Sequence, residues 1–240
     1  MYDSLAGVYE FLAPEALLSP EGSAAAFSMV TAELPPGARV LDCACGTGTL
    51  AVGLALLGFE VSASDASPAM VARTRELAAT RGMRLEVAQR TWEELEGGPF
   101  DAVFCVGNSL THAAGRDGRR AALAAMRRVL RDGGLHAVTS RTWERPLQDG
   151  EEIVERGARR ARIRRAWHPP ERDGGAHRLE VEVVVEGETL AERLDYWPFT
   201  HEELDADLRA AGLEPVSSTW DPDVDRYLVT SRANSSKASR

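Results

Sequence analysis

Val40-Leu41-Asp42-Cys43-Ala44-Cys45-Gly46-Thr47-Gly48 is the stretch that settles the architecture. Residues 39–44 read as a short apolar strand, Gly-x-Gly as a tight turn, and residues 48–57 as a helix stopped by Gly58. Glycine suits such a turn because a backbone without Cβ bends sharply and lets a ligand approach it closely. An acid at Asp42, on the strand just before the turn, restricts the ligand. It repels a pyrophosphate and favours a group that carries a positive amine and no phosphate.

The same punctuation continues outward. Residues 59–64 form a second strand, and Ser67-Pro68 supplies the cap and first-turn proline of a helix reaching Thr80. Residues 84–88 and 100–106 read as the third and fourth strands. A helix over 118–131 ends at Asp132-Gly133-Gly134, and 135–140 is the fifth strand. Strands alternating with helices imply right-handed βαβ units and a parallel sheet covered on both faces. The expected fold is α/β: a Rossmann-like, doubly wound, seven-stranded sheet with a small antiparallel β insertion after strand five.

Before the first strand, residues 1–34 read as a helical lid, with short helices over 5–12 and 22–34. Residues 35–150 form the core and 151–197 the insertion, where Leu179, Val181, Val183 and Val185 line one face of a strand. Residues 198–232 return to the core with a helix capped by Thr200 and Glu203 and two final strands. Residues 233–240 are polar and are expected to be a disordered tail.

A chain of 240 residues with 44% apolar content supports one sizeable core. Its net charge of −9 opposes general binding to nucleic acid. Apolar runs are too short for a membrane span, and the N-terminus has no basic lead, so a cytoplasmic location is expected. Cys43, Cys45 and Cys105 fall in or beside strands without zinc-site spacing, and read as buried free thiols; no metal site is expected. Cys43 and Cys45 are expected on one strand face. Lys237 is the only lysine, an arginine bias that points to base composition in the source genome. Arg156, Arg159, Arg160, Arg162, Arg164 and Arg165 form a basic run that reads as a solvated strand face neutralised by nearby glutamates.

Two further features carry chemistry. Asp65 ends the second strand 17 to 19 residues beyond the glycines, where an acid accepts hydrogen bonds from ribose hydroxyls. Those hydroxyls are common to NAD and S-adenosylmethionine, and Asp42 favours the latter. Gly107-Asn108-Ser109, with His112 beyond, crowds polar groups at the carboxyl end of strand four, where ligands of open α/β sheets bind. Arg141 and Trp143 emerge from the end of strand five on the same rim.

Together, residues 40–48 and Asp65-Ala66-Ser67-Pro68-Ala69-Met70 resemble the class I S-adenosylmethionine-dependent methyltransferases, over roughly residues 35–140. The resemblance implies that Ala44, Gly46 and Gly48 line the methionine part of the cofactor, that Asp65 and Ala66 sit at the ribose, and that Met70 packs near the adenine. Thr91 falls nearest the position that faces the adenine amino group. Trp92 either stacks there or belongs to the core, and Val106 completes the cofactor wall.

Gly107-Asn108-Ser109, His112, Arg141, Trp143 and Glu144, with residues 193–198, are similar to the glycine N-methyltransferase branch and its bacterial small-molecule relatives. In that branch the matching Asn and Arg hold a substrate carboxylate, so Asn108 and Arg141 are expected to do so, with Ser109, His112, Trp143 and Tyr196 beside them at the substrate. Arg141 could instead face a ring carbonyl or pair with Glu144. Tyr2 and Tyr9 are expected to close over cofactor and substrate. The segment before strand one is shorter than in the animal enzymes, so their tetramer is not carried over; a monomer or homodimer is expected.

The expected function is N-methylation of an amine or ring nitrogen of a small molecule, in bacterial natural-product metabolism. The alternatives are an O-methyltransferase using His112 as base, a NAD-dependent oxidoreductase, and a non-catalytic adenosylmethionine-binding protein.

Overall fold

The computed structural model describes residues 2–235. Five parallel strands form its centre: β1 (Arg39–Asp42), β2 (Glu60–Asp65), β3 (Glu86–Gln89), β4 (Phe100–Cys105) and β5 (Leu130–Arg141). Two late strands, β10 (Leu213–Ser218) and β11 (Arg226–Ala233), complete a seven-stranded sheet of order β10-β11-β5-β4-β1-β2-β3. Since β11 runs antiparallel to both β5 and β10, the sheet is mixed. The chain moves one way from β1 through β2 to β3, then crosses to β4 and β5. That reversal opens a crevice at the carboxyl ends of β1 and β4.

Alternation along each strand sends side chains to two cores. In β4, Val103 and Cys105 join Leu123 and Met126 of α5 (Gly115–Val129) and Leu204 and Leu208 of α6 (His201–Ala210). Ala102 and Phe104 of the same strand join Leu50 and Leu54 of α3 (Thr49–Leu56) and Val71 of α4 (Pro68–Thr80) on the other face. Cys43 and Cys45 fall in these opposite cores rather than on one strand face, because β1 ends at Asp42 and the chain turns between them. All three cysteines are buried and free.

The insertion is antiparallel, as expected. Strands β6 (Gly150–Arg156), β7 (Arg159–His168), β8 (His177–Val185) and β9 (Glu188–Tyr196) form a separate four-stranded antiparallel sheet in sequence order. The tight turn at Gly157, with φ of 59°, divides the arginine-rich stretch into two strands. Glutamates neutralise it: Arg159 pairs with Glu10 and Glu186, Arg162 with Glu151, and Arg165 with Glu152. Leu179, Val181, Val183 and Val185 are buried on the inner face as expected, packed against Leu5, Val8 and Phe11.

Those last three belong to an N-terminal segment that is mostly 3-10 rather than α-helical, over Ala6–Phe11 and Glu15–Leu17, with short helices α1 (Pro20–Ala26) and α2 (Ser28–Thr31) after it. At the other end, β11 continues to Ala233 and the Asn234 N–H donates to the Gly212 carbonyl, so order extends past the expected start of the tail. Residues 236–240 of that expected tail lie outside the described residues. No helix among the described residues is long and apolar enough to cross a membrane.

Candidate active site

The crevice at the carboxyl edge of the main sheet is roofed by the N-terminal segment and closed on its far side by the inner face of the second sheet. The resulting cavity holds about 920 Å³. That is near the top of the range of about 300–1,000 Å³ for small-molecule sites.

At its floor lies Asp42, only 1% exposed, at the end of β1. Neither carboxylate oxygen meets a donor in good hydrogen-bonding geometry. Burial, with the charge of Asp65 added, pushes its pKa up to about 7, against partial relief from the N–H groups of Ala44 and Ala51. A buried acid without a partner is costly, so this carboxylate fits a ligand that brings a positive donor.

Gly46 and Gly48 both have positive φ, at 54° and 85°, but for different reasons. A Cβ on Gly46 would meet nothing within 4 Å, and the residue lines the cavity, so its bare backbone leaves room for a ligand. On Gly48 a Cβ would lie 2.8–2.9 Å from Thr74 atoms. Gly48 therefore lets the loop pack against α4 and stands outside the cavity wall.

Asp65 shapes the loop directly. Its Oδ2 accepts from the Gly46 N–H at 2.9 Å, and its Oδ1 from the Ser67 N–H at 2.9 Å. Each oxygen keeps a lone pair for a ribose hydroxyl. Met70, buried in the first turn of α4, and Ala44 and Val106 complete this half of the wall. Ala66 is exposed and outside it, its carbonyl accepting from Gln89.

Thr91 and Trp92 also stand apart from the cavity. Thr91 caps a 3-10 turn with Glu94, and the Trp92 indole donates to the Cys43 carbonyl at 3.1 Å while packing on the core. The Trp92 ring thereby braces the strand end that carries Asp42.

On the acceptor side, Asn108 has φ of 68° and uses Oδ1 to accept the Arg141 N–H at 2.8 Å. This bond ties the ends of β4 and β5 and leaves the Asn108 amide N–H₂ for a ligand. Ser109 donates its hydroxyl to the Val106 carbonyl at 2.7 Å. The Arg141 guanidinium lies 5.9 Å from the Trp143 ring centroid, with Nε buried and unpartnered. It does not pair with Glu144, whose carboxylate accepts from the His201 N–H instead.

Tyr2, Tyr9 and Tyr196 line the cavity, whereas His112 stands behind Tyr2. His112 Nδ1 is 2.8 Å from the Asp195 carbonyl, which only accepts, so Nδ1 carries the proton. Nε2 then accepts from the Tyr2 hydroxyl at 3.2 Å, and Tyr196 donates to the Tyr2 oxygen at 3.0 Å. Burial lowers the His112 pKa to about 4, so the ring is neutral near pH 7.

Sequence reasoning missed two contributors, Trp167 of β7 and Arg226 at the start of β11, both in the cavity wall. Trp167 has the parity of the inward residues Ala161 and Ile163, a signal that the alternation contained. Arg226 reaches the rim only through antiparallel pairing with β5, and no local signal marks it.

Comparison with known proteins agrees with this geometry. A methyltransferase-domain model matches residues 40–134. A glycine/sarcosine N-methyltransferase of Parasynechococcus marenigrum is 40% identical over 121 residues, which are 49% of this chain and 43% of that protein. The chain carries a methyltransferase domain over residues 40–134, similar to those of the class I S-adenosylmethionine-dependent methyltransferases.

It spans less than half the length of the curated methyltransferases it matches. Likeness to solved structures extends over nearly the whole chain. An amino pentose methyltransferase of Micromonospora echinaspora involved in calicheamicin biosynthesis is 25% identical with a TM-score of 0.76, over 96% of both chains. A sugar N-methyltransferase of Streptoalloteichus sp. is 28% identical with a TM-score of 0.69, covering 88% of this chain and 87% of that one. S-adenosylmethionine is the cofactor of this methyltransferase family. The unpartnered Asp42 carboxylate and the open face of Gly46 fit its ammonium and methionine chain.

Proposed function

We propose that this protein transfers a methyl group from S-adenosylmethionine to an amine or ring nitrogen of a small molecule in biosynthetic metabolism. The observation that carries the reading is the buried, unpartnered Asp42 carboxylate beside the open Gly46 turn. Asp42 receives the cofactor ammonium, Asp65 the ribose hydroxyls, and Met70 packs against the base. Tyr2 and Tyr9 cover the reacting centre, and Asn108, Ser109, Arg141, Trp143 and Tyr196 face the acceptor.

When bound, the cofactor supplies an electrophilic methyl group on a sulfonium. The protein aligns the acceptor with that methyl group and excludes water. No charged base is needed for a neutral nitrogen, whose lone pair attacks directly. The state of His112 supports nitrogen over oxygen as acceptor: burial makes it a weak base, with a pKa of about 4, it stands behind Tyr2, and both ring nitrogens are engaged. Relatives named for N-methylation of glycine and sugars support the same choice.

Calorimetric titration with S-adenosylhomocysteine and with NAD, followed by a labelled-methyl screen of amines, ring nitrogens and phenols, tests the proposal. Homocysteine-adduct binding without NAD binding, with label on nitrogen, is expected. NAD binding alone removes the methyltransferase reading, and label confined to phenols moves the activity to oxygen.

A further inference from the structure

Arg141 and Arg226 are cross-strand partners in the antiparallel β5–β11 pair, so their side chains leave the sheet on the same face. The next pair on that face, Thr139 and Leu228, also lines the cavity, which fixes the face as the one turned to the site. Like charges set directly opposite destabilise a sheet, and the charge of Arg226 adds to burial in lowering the Arg141 pKa. Neighbouring arginines are neutralised: Arg145 takes Asp225 at 3.2 Å, and Arg165 takes Glu152. Neither Arg141 nor Arg226 has an ion-pair partner among the described residues, and the buried Arg141 Nε has no acceptor at all.

Beside this pair stands an aromatic wall. Trp143 lies 6.1 Å from Trp167 and 5.6 Å from Tyr196, centroid to centroid, and Trp167 lies 5.2 Å from Tyr196. All three rings line the cavity. The cavity is shared with the cofactor half at Asp42, Gly46 and Asp65, and an acceptor the size of an amino acid backbone would still leave that three-ring wall largely uncovered.

We propose that Arg226 is a specificity-determining residue, forming with Arg141 a two-guanidinium clamp for an oxyanion borne on a flat apolar body that packs against Trp143, Trp167 and Tyr196. The inference rests on the reading of this cavity as the methyl-acceptor site. A carboxylate and a phosphate share the required chemistry, since guanidinium forks bind both through paired N–H donors. The clamp sets which acceptor is admitted and plays no part in holding the cofactor.

The test uses the full chain saturated with S-adenosylhomocysteine and probes the second site by calorimetry with benzoate, phenyl phosphate, benzamide and acetate. Binding of benzoate or phenyl phosphate is expected, the stronger of the two naming the oxyanion, with benzamide and acetate weaker. Arg226→Gln is expected to weaken the favoured anion about tenfold or more while leaving S-adenosylhomocysteine affinity within about twofold of the parent. Equal anion affinity in parent and R226Q, benzamide or acetate binding as well as benzoate, or no anion binding at millimolar concentration overturns the proposal. Failure to bind S-adenosylhomocysteine instead overturns the underlying methyltransferase reading, so the two failures are distinct.

Discussion

The Tyr2 hydroxyl lies 3.2 Å from Nε2 of His112, a bond that joins the N-terminal segment to the loop after β4 across 110 residues. It is the middle of a directed chain in which Tyr196 donates to Tyr2, Tyr2 to His112, and His112 to the Asp195 carbonyl. Burial raises the pKa of both tyrosines, to about 12 for Tyr196, so the chain is neutral throughout at pH 7. It orients rather than ionises.

Tyr2→Phe and His112→Phe each remove that bond while keeping a ring in place. Each is expected to cost about 1 kcal/mol in urea unfolding, and the double variant less than the sum by about 0.5–1.5 kcal/mol. Additive losses would show that the bond contributes nothing. At saturating cofactor, the pH profile of methyl transfer is expected to keep the same shape in His112→Phe as in the parent between about pH 6 and 8, because His112 titrates near pH 4.

Asp42→Asn should separate binding from stability. The folded-state pKa of about 7 lies above the ordinary 3.8, so its contribution is fully present below pH 3.8 and is lost as pH rises through 7. At pH 8 the ionised, unpartnered carboxylate therefore destabilises the ligand-free protein, by at most about 4 kcal/mol. The asparagine variant is expected to melt higher than the parent at pH 8 without ligand. Its S-adenosylhomocysteine affinity is expected to fall about 100-fold, the cost of losing a charge-assisted bond. Retained affinity would remove Asp42 from the ammonium site.

Much of this was legible in the chain because its signals are local. Gly46, Asp42 and Asp65 sit within a few residues of strand ends, and strand, turn and helix patterns place such ends at one edge of the sheet. Asn108 and Arg141 follow from the same rule. Trp92 has the composition of a stacking residue but is claimed by the Cys43 carbonyl, a tertiary contact that periodicity does not encode. Gly48 carries the motif glycine yet serves packing against Thr74. Arg226 was invisible because its position depends on which edge β11 joins and in which direction. The inner face of β7 was hard to read because the outward Arg160, Arg162 and Arg164 interrupt the apolar alternation of Ala161 and Ile163.

Asp3→Ala tests whether the N-terminal segment is latched over the cofactor half. Asp3 Oδ1 accepts from the Ser67 hydroxyl at 2.7 Å, and Ser67 in turn caps α4 beside Asp65 and Met70. That bond lowers the Asp3 pKa, so the latch is intact at neutral pH. The variant is expected to weaken S-adenosylhomocysteine binding about three- to tenfold and to speed proteolysis within residues 2–18. Unchanged proteolysis with unchanged affinity would show that the segment is held without the Asp3 bond, by the Tyr2–His112 bond, the Arg159–Glu10 pair and the apolar contacts of Leu5, Val8 and Phe11.

His136 provides the sharpest pH test, because it acts against Asp42. It is fully buried in β5, with neither ring nitrogen partnered, and burial lowers its pKa to about 4 from 6.5. Its stability contribution is therefore present above pH 6.5 and is lost as pH falls toward 4, by about 3 kcal/mol in all. Over the same interval protonation relieves Asp42, so the two effects partly cancel, with His112 adding to the loss. His136→Leu removes one of the two acid-side losses. Its unfolding free energy is expected to decline less than the parent's between pH 6.5 and 4.5, and Asp42→Asn is expected to decline more. Parallel pH profiles for all three proteins would mean that neither buried group keeps its shifted titration in the folded state.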